Sequence, residues 1–132
     1  MSNVAQGAAA LSVLLILRKD NKMKGIASAS GISALLGITE PAIFGVNLKL
    51  RYPFFGAMIG SAVGSAYVML TKVLAISPGA AGLPGIISIR PISIVNYIIA
   101  MILSMSVAFI STIVIAKFMN KKEVLNNNQL AA

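Results

Sequence analysis

Long uncharged apolar runs constrain this chain more than any other feature of its sequence. Residues 52–71 and 91–116 contain no charged side chain, and about 20 apolar residues are enough for a helix to cross a bilayer. Charged residues make up 11% of the 132 positions, less than half of the roughly 25% that soluble domains carry. The sequence therefore predicts an all-α membrane protein with about three transmembrane helices.

The composition excludes several classes of function. The chain has no Cys and no His, so a thiolate nucleophile, a disulfide framework and an imidazole base or ligand are all absent. We expect no cofactor and no metal site. The net charge of +8 lies in short clusters between apolar runs, whereas phosphate contacts would need those charges on one solvent-exposed face. We therefore expect a lipid bilayer, and no nucleic acid, as partner.

The positive residues cluster at 18–24, 49–51 and 117–122, with Lys72 and Arg90 standing apart. Suppose that the runs between the first two clusters and between Lys72 and Arg90 both dip into the membrane and return. Nine positive residues then lie on one face and two on the other, a more uneven division than any arrangement in which one of the two runs spans. The positive-inside rule favours this arrangement.

The same arrangement predicts one or two re-entrant hairpins, at 25–48 and 73–89, in a multi-pass membrane protein. It places the C-terminus in the cytoplasm, where 121–132 form a polar tail that we expect to be disordered. The first residues lack the basic cluster of a secretory signal. We therefore expect the chain to begin within a membrane protein, with 4–17 as the end of a spanning helix.

Glu40 is the acidic residue that stands in the middle of the apolar run 25–48. The following Pro41 has no N–H and disfavours the α region for Glu40, so a helix over about 26–37 should end there. Pro41 suits the first position of a second helix. Because irregular backbone at membrane depth survives only where protein or water surrounds it, we expect Thr39, Glu40 and Pro41 to form an apex that lines a cavity.

Two interpretations of Glu40 remain open from the residues alone. Ionisable side chains within a membrane usually mark a substrate or ion pathway, so its carboxylate could accept hydrogen bonds from a polar ligand. In the other interpretation it forms an ion pair with Lys49 or Arg51, or holds backbone N–H groups of its own hairpin. The N–H groups that begin the second helix are also available to ligand oxygens.

Three further features have two possible roles each. Gly56, Gly60 and Gly64 recur every four residues and form a smooth stripe for another helix, either within one transport domain, which we favour, or in a dimer. The stretch 77–85 is too irregular for a lipid-exposed helix and either gates a cavity or connects two spans. Asn47 either binds a ligand or bonds one helix to another.

Residues 37–48 read Gly-Ile-Thr-Glu-Pro-Ala-Ile-Phe-Gly-Val-Asn-Leu. The first five resemble the Gly-(Ile/Val)-Thr-Glu-Pro signature of sugar permeases of the bacterial phosphoenolpyruvate-dependent phosphotransferase system. The continuation through 49–54, the glycine-rich helix and the Gly-Leu-Pro-Gly at 82–85 resemble the same group. Over roughly 4–120 the chain resembles the C-terminal portion of the membrane (EIIC) domain of the glucose/sucrose/β-glucoside superfamily, most closely the sucrose- or trehalose-type EIIBC permeases.

This resemblance implies a specific activity. Such permeases translocate a sugar, here a disaccharide such as sucrose or trehalose, and phosphorylate it from a cysteine of an EIIB domain, which EIIA and the histidine phosphocarrier protein charge. By resemblance Glu40 is both the catalytic and a substrate-binding residue, because it hydrogen-bonds the sugar and orients the acceptor hydroxyl. Thr39 and Pro41 shape the apex, and Asn47 completes the expected substrate-binding set.

The departures from the family also carry expectations. Intact members are protein-N(pi)-phosphohistidine–sugar phosphotransferases with an upstream functional His and the EIIB Cys, and this chain contains neither residue type. We expect residues 1–120 to form the C-terminal part of an EIIC domain. It would work only with the rest of EIIC and EIIB in the bacterial plasma membrane, and the resemblance is compatible with a homodimer of the complete permease. The chain alone should be inactive.

Two other classes of function are compatible with the pattern. One is a small stand-alone structural or pore-forming membrane protein, which would insert and self-associate without binding sugar. The other is part of an ion-coupled secondary transporter, in which broken helices and buried carboxylates also occur. Such a transporter would take up substrate independently of phosphoenolpyruvate.

Overall fold

The computed structural model describes the backbone of residues 1–17, 20–77, 79 and 81–130, with side chains up to 119. This part of the chain contains helices and no β-strand, so the all-α prediction is confirmed. Two short 3₁₀ helices precede the last α-helix. In chain order the elements are α1 (Ser2–Ile16), α2 (Asn21–Leu35), α3 (Glu40–Ala42), a π-helix (Ile43–Asn47), α4 (Leu48–Leu50), α5 (Tyr52–Leu70), the 3₁₀ helices Leu83–Ser88 and Pro91–Ser93, and α6 (Ile94–Leu130).

Two helical segments of the described chain are long and apolar enough to cross a membrane. They are α5 and the segment Pro91–Met119, which contains most of α6. Helix α1 is apolar too, but it has only 15 residues. The two predicted spans thus coincide with the two uncharged runs of the sequence.

Helices α5 and α6 pack antiparallel along the glycine stripe. A Cβ added to Gly60 would lie 2.6 Å from the backbone N of Ala108, and one on Gly64 would lie 2.5 Å from the Ser104 Cβ. The Ser104 hydroxyl donates a hydrogen bond to the Gly60 carbonyl at 2.9 Å. The stripe therefore serves packing within the chain, the role that we favoured over dimerisation.

Helix α1 lies across this pair and against α2. Its Ala5 and Ala8 pack on Ala108 of α6. On its other side, Gly7 lies so close to α2 that an added Cβ would be 2.8 Å from the Gly31 carbonyl oxygen. Small residues thus bring three helix backbones close together, as expected where van der Waals packing drives helix association.

Helix α2 begins earlier than the sequence predicted. We expected a polar turn through 18–24 and a helix from about residue 26, but α2 begins at Asn21. The reason is an N-cap: the Asp20 carboxylate accepts a hydrogen bond from the backbone N–H of Met23 at 2.9 Å, which satisfies a helix donor that would otherwise be unpaired. Arg18 and Lys19 of this cluster lie outside the described residues.

The described residues of the basic clusters lie at one end of the helix bundle. Leu15 and Ile16 at the end of α1 line a groove together with Ala116 and Lys117 of α6. The short connection 17–20 places the start of α2 at this end, and the antiparallel packing on α6 places the start of α5 there as well. Lys72 and Arg90, between α5 and α6, lie at the opposite end. The side chains of Lys121 and Lys122 lie outside the described residues.

The connection between α5 and α6 is a closed loop. Ala75 and Ile89 form an isolated antiparallel bridge, and the Ile76 N–H donates to the Ser88 carbonyl at 2.8 Å. The chain therefore leaves and returns at the same point, and the dip of 73–89 into the membrane stays a prediction. Pro78 and Ala80 of this loop lie outside the described residues.

Helix α6 continues through Leu130. The backbone of 121–130 is therefore helical in the segment for which we expected a disordered tail. The division into a membrane part and a tail, and the cytoplasmic position of that tail, stay predictions.

Candidate functional site

The hairpin 25–48 turns where the sequence predicted. Helix α2 ends at Leu35, and Gly37 adopts a φ of +108°. The Gly37 N–H donates to the Ala34 carbonyl at 3.0 Å and the Ile38 N–H to the Ser33 carbonyl at 3.0 Å. This is the Schellman arrangement, in which a glycine with positive φ ends a helix and pairs its last carbonyls.

Glu40 is the first residue of the second arm of the hairpin. Thr39 is the N-cap of α3 and is half-buried, and Pro41 follows Glu40 at the second helical position. The Ile43 N–H donates to the Thr39 carbonyl at 2.8 Å, which starts the helical bonding. The three predicted apex residues are thus consecutive at the tip, with the side chains of Glu40 and Pro41 exposed on the surface of this chain.

Neither local alternative for Glu40 is present among the described residues. Among the described residues, neither Lys49 nor Arg51 forms an ion pair with the Glu40 carboxylate. In the same part of the chain, the Glu40 side chain accepts no hydrogen bond from a backbone N–H group. The carboxylate at the apex is therefore unpaired within the described part of the chain.

Two other elements contact the turn that carries Glu40. The Asn3 side-chain amide, at the start of α1, donates to the Gly37 carbonyl at 3.0 Å. Gly82, with φ +73°, lies on the turn from another side, so close that an added Cβ would be 2.3 Å from the Leu35 carbonyl oxygen and 2.9 Å from the Gly37 N. The tip of the hairpin and the α5–α6 loop meet through backbone atoms.

The apex lies within the depth of the bundle. Ala5 and Ala8 of α1 lie level with Ala108, which packs on Gly60 near the middle of α5. Measured along the helix axes from that level toward the end of α5, Asn3, which bonds the apex turn, lies at about 5 Å. In the same direction α5 continues for about 15 Å. Because Gly82 touches the same turn, the α5–α6 loop returns into the bundle and meets the hairpin there.

Asn47 lies away from the apex. It is fully buried in the π-helix, and its Nδ2 donates to the Gln6 carbonyl oxygen at 3.2 Å and to the Gln6 side-chain oxygen. The structure thus shows a bond between the hairpin and α1, one of the two roles that the sequence left open. A sugar contact for Asn47 stays a prediction.

An open groove of about 440 Å³ runs along the hairpin between its two arms. Of the three apex residues only Pro41 lines it, and the rest of its wall comes from one face of α2. The residues that line this groove are Ile26, Ala29, Ser30, Ser33 and Pro41. The wall is mostly apolar, so the groove suits packing against apolar groups better than binding a sugar.

Sequence reasoning missed the residues that support the apex. Asn3 supports the apex turn, whereas Gln6 bonds Asn47. Both are amide side chains in a helix that is otherwise apolar except for Ser2 and Ser12, and that contrast was the signal available for them. Gly82 was included in the irregular stretch 77–85, but nothing in its local sequence indicates that it touches Leu35.

The contact between the hairpin turn at Gly37 and the α5–α6 loop at Ala81 predicts a specific cross-link. An ideal Cβ on Gly37 would lie 3.6 Å from the Ala81 Cβ, and the chain contains no native cysteine. With Ile38→Cys and Ala81→Cys in the membrane-inserted chain, a short bifunctional thiol reagent should join the two positions, as mass spectrometry of the peptides will show. The control pair, Ile38→Cys with Phe118→Cys near the other end of the bundle, should remain unlinked. Equal reaction of both pairs would contradict the contact.

Comparison with known proteins identifies related chains. The family model described as "Phosphotransferase system, EIIC" matches residues 1–62. The chain is 57% identical over 117 residues to the sucrose-specific EIIBC component of the phosphotransferase system of Pasteurella multocida, which covers 89% of this chain and 24% of the relative. No solved structure matches the chain.

Other relatives have similar names. The sucrose-specific EIIBC component of Staphylococcus xylosus is 66% identical over 89 residues, 67% of this chain and 18% of the relative. The trehalose-specific EIIBC component of Bacillus subtilis is 48% identical over 121 residues, 92% of this chain and 26% of the relative. The chain thus spans about a quarter or less of the length of these curated relatives.

Proposed function

This chain is a relative of the EIIC membrane domains of phosphotransferase-system sugar permeases, and we propose that it forms the part of such a permease that binds the sugar through Glu40. The substrate class is a disaccharide, sucrose or trehalose, which are the sugars in the names of the relatives. The permease would translocate this sugar and phosphorylate it. The whole activity requires segments that lie in the relatives beyond the quarter of their length that this chain matches.

The observation that carries the proposal is an unpaired carboxylate at a supported apex within the bundle. An ionised carboxylate has only acceptor sites, and sugar hydroxyls are donors, so the two form charge-assisted hydrogen bonds. Phosphoryl transfer depends mainly on positioning the acceptor and stabilising charge. Glu40 would orient the acceptor hydroxyl and accept its proton, with Thr39 and Pro41 shaping the apex.

The partners follow from the same proposal. The relatives are named EIIBC components, which supports an EIIB domain as phosphoryl donor. This donor would in turn be charged by EIIA and the histidine phosphocarrier protein. Because the nine positive residues face one side in the arrangement favoured by the positive-inside rule, we propose that this end of the bundle, and the C-terminus with it, faces the cytoplasm and EIIB. The complete permease would work in the plasma membrane, and a homodimer is its proposed assembly.

A segment exchange tests the proposed function. In this hybrid, which we call the exchange permease, the present chain replaces the 117 aligned residues of the Pasteurella multocida sucrose permease. The exchange permease should restore sucrose uptake in cells that lack the original permease. The uptake should require phosphoenolpyruvate and deliver sucrose phosphate. The control is the same permease with the segment deleted, which should take up nothing.

Other outcomes of the exchange would contradict the proposal. Uptake that followed a proton or sodium gradient and left the sugar unphosphorylated would indicate the secondary-transporter class. A correctly inserted exchange permease without sugar binding would indicate a structural role for this chain.

A further inference from the structure

We infer that Asn3 is a positioning residue for Glu40, because its hydrogen bond to the Gly37 carbonyl sets where the apex carboxylate stands relative to the sugar. The inference rests on the proposed function, since it requires that Glu40 binds the sugar. Nothing in the apex signature itself points to Asn3, which lies 34 residues from its partner in the chain.

The Gly37 carbonyl needs a partner at its position. The N–H groups of Gly37 and Ile38 are used in ending α2, whereas the Gly37 carbonyl points toward α1. A backbone carbonyl at membrane depth is destabilising when it has no hydrogen-bond partner. The Asn3 amide supplies that partner at 3.0 Å, and it ties the turn to α1.

The tie lies close to the reacting group. Glu40 follows Gly37 by three residues and lies in the first helical turn of the second arm, which the hydrogen bond from the Ile43 N–H to the Thr39 carbonyl closes. Only Ile38 and Thr39 separate Glu40 from the Gly37 tie, so a shift of the tie moves the turn that carries Glu40. A misplacement of a reacting group by about 1 Å can cost about 100-fold in rate.

Gly82 and Asn3 have different effects on the turn. Gly82 limits how far the turn can move, because its backbone already touches Leu35 and Gly37. Asn3 supplies the attractive contact that holds the turn against this limit. Removing the amide should therefore leave the fold in place and loosen the apex.

The test uses the exchange permease, with sugar KM and kcat measured per inserted molecule. Asn3→Leu keeps the size of the side chain and removes the amide. It should raise the sugar KM about tenfold, the cost of one ordinary hydrogen bond, without lowering the amount of inserted permease. Asn3→Gln keeps the amide and should restore part of the loss. The matched control is Asn96→Leu in α6, whose side chain makes no hydrogen bond in the described part of the chain, and its KM should not change.

The outcomes separate the inference from the proposed function. If Asn3→Leu only lowers the amount of inserted permease and leaves KM unchanged, Asn3 is merely structural and the inference is overturned. The inference is also overturned, and the proposed function stands, if Asn3→Leu has no effect while Glu40→Gln loses sugar binding. If Glu40→Gln itself leaves sugar binding unchanged, the proposed function fails and the inference fails with it.

Discussion

Glu40→Gln in the exchange permease should reduce kcat/KM for sucrose phosphorylation by about 100-fold, because a hydrogen bond to a charged group contributes roughly 1.5–3 kcal/mol. Glutamine keeps the size of the side chain and one acceptor oxygen, but it loses the negative charge that strengthens bonds from sugar hydroxyls. The measurement is uptake of labelled sucrose together with formation of sucrose phosphate. The matched control is Glu123→Gln, at the other glutamate of the chain, which should leave both unchanged.

Whether the loss of kcat/KM comes from a higher KM or from a lower kcat will distinguish two roles of the carboxylate. If Glu40 only binds the sugar, KM rises and kcat is unchanged; if it also accepts the proton of the acceptor hydroxyl, kcat falls as well. Glu40→Asp keeps the charge on a shorter side chain and should recover binding more than turnover. Sucrose binding that survives Glu40→Gln at full strength would exclude both roles and return Glu40 to a structural interpretation.

The parts of the fold that the sequence predicted are those governed by local rules. Uncharged length set the bounds of α5, and Pro41 predicted that α2 ends shortly before it. The second helix was expected to begin at Pro41 and begins one residue earlier, at Glu40. The early start of α2 could not be predicted from Asp20 alone, although Asp is a good N-cap residue, because the positive residues around it are equally typical of a polar turn. The π-helix beside the apex has no local signal in its residues Ile43–Asn47.

The support of the candidate site could not be predicted for a different reason. Asn3, Gly37 and Gly82 come from three separate elements, and their contacts exist only once the bundle has packed. A polar residue in an apolar helix indicates that some partner exists, but it does not identify which carbonyl. The local sequence therefore predicted the tip of the candidate site, residues 39–41. The residues that hold this tip are brought to it only by tertiary packing.

Gly60→Ala should destabilise the folded chain by about 3 kcal/mol, near the upper end of what overpacking costs. The added Cβ would lie 2.6 Å from the backbone N and 2.7 Å from the Cα of Ala108, so no side-chain rotation can make room, and α5 and α6 must separate. The matched control is Gly25→Ala in α2, where an added Cβ meets nothing within 4 Å. That change should be neutral or stabilising by up to about 1 kcal/mol, because alanine favours a helix over glycine.

The measurement is reversible unfolding of the chain in mixed detergent micelles, followed by circular dichroism, together with the oligomeric state before unfolding. Packing within the chain requires that Gly60→Ala lowers stability at every protein concentration. Had the stripe been a dimer interface, the same substitution would reduce the dimer fraction, and its effect on stability would disappear on dilution. A compensating Ala108→Gly should recover only part of the loss, because it removes the Cβ of Ala108, 2.5 Å from the new methyl group, and leaves the backbone contacts.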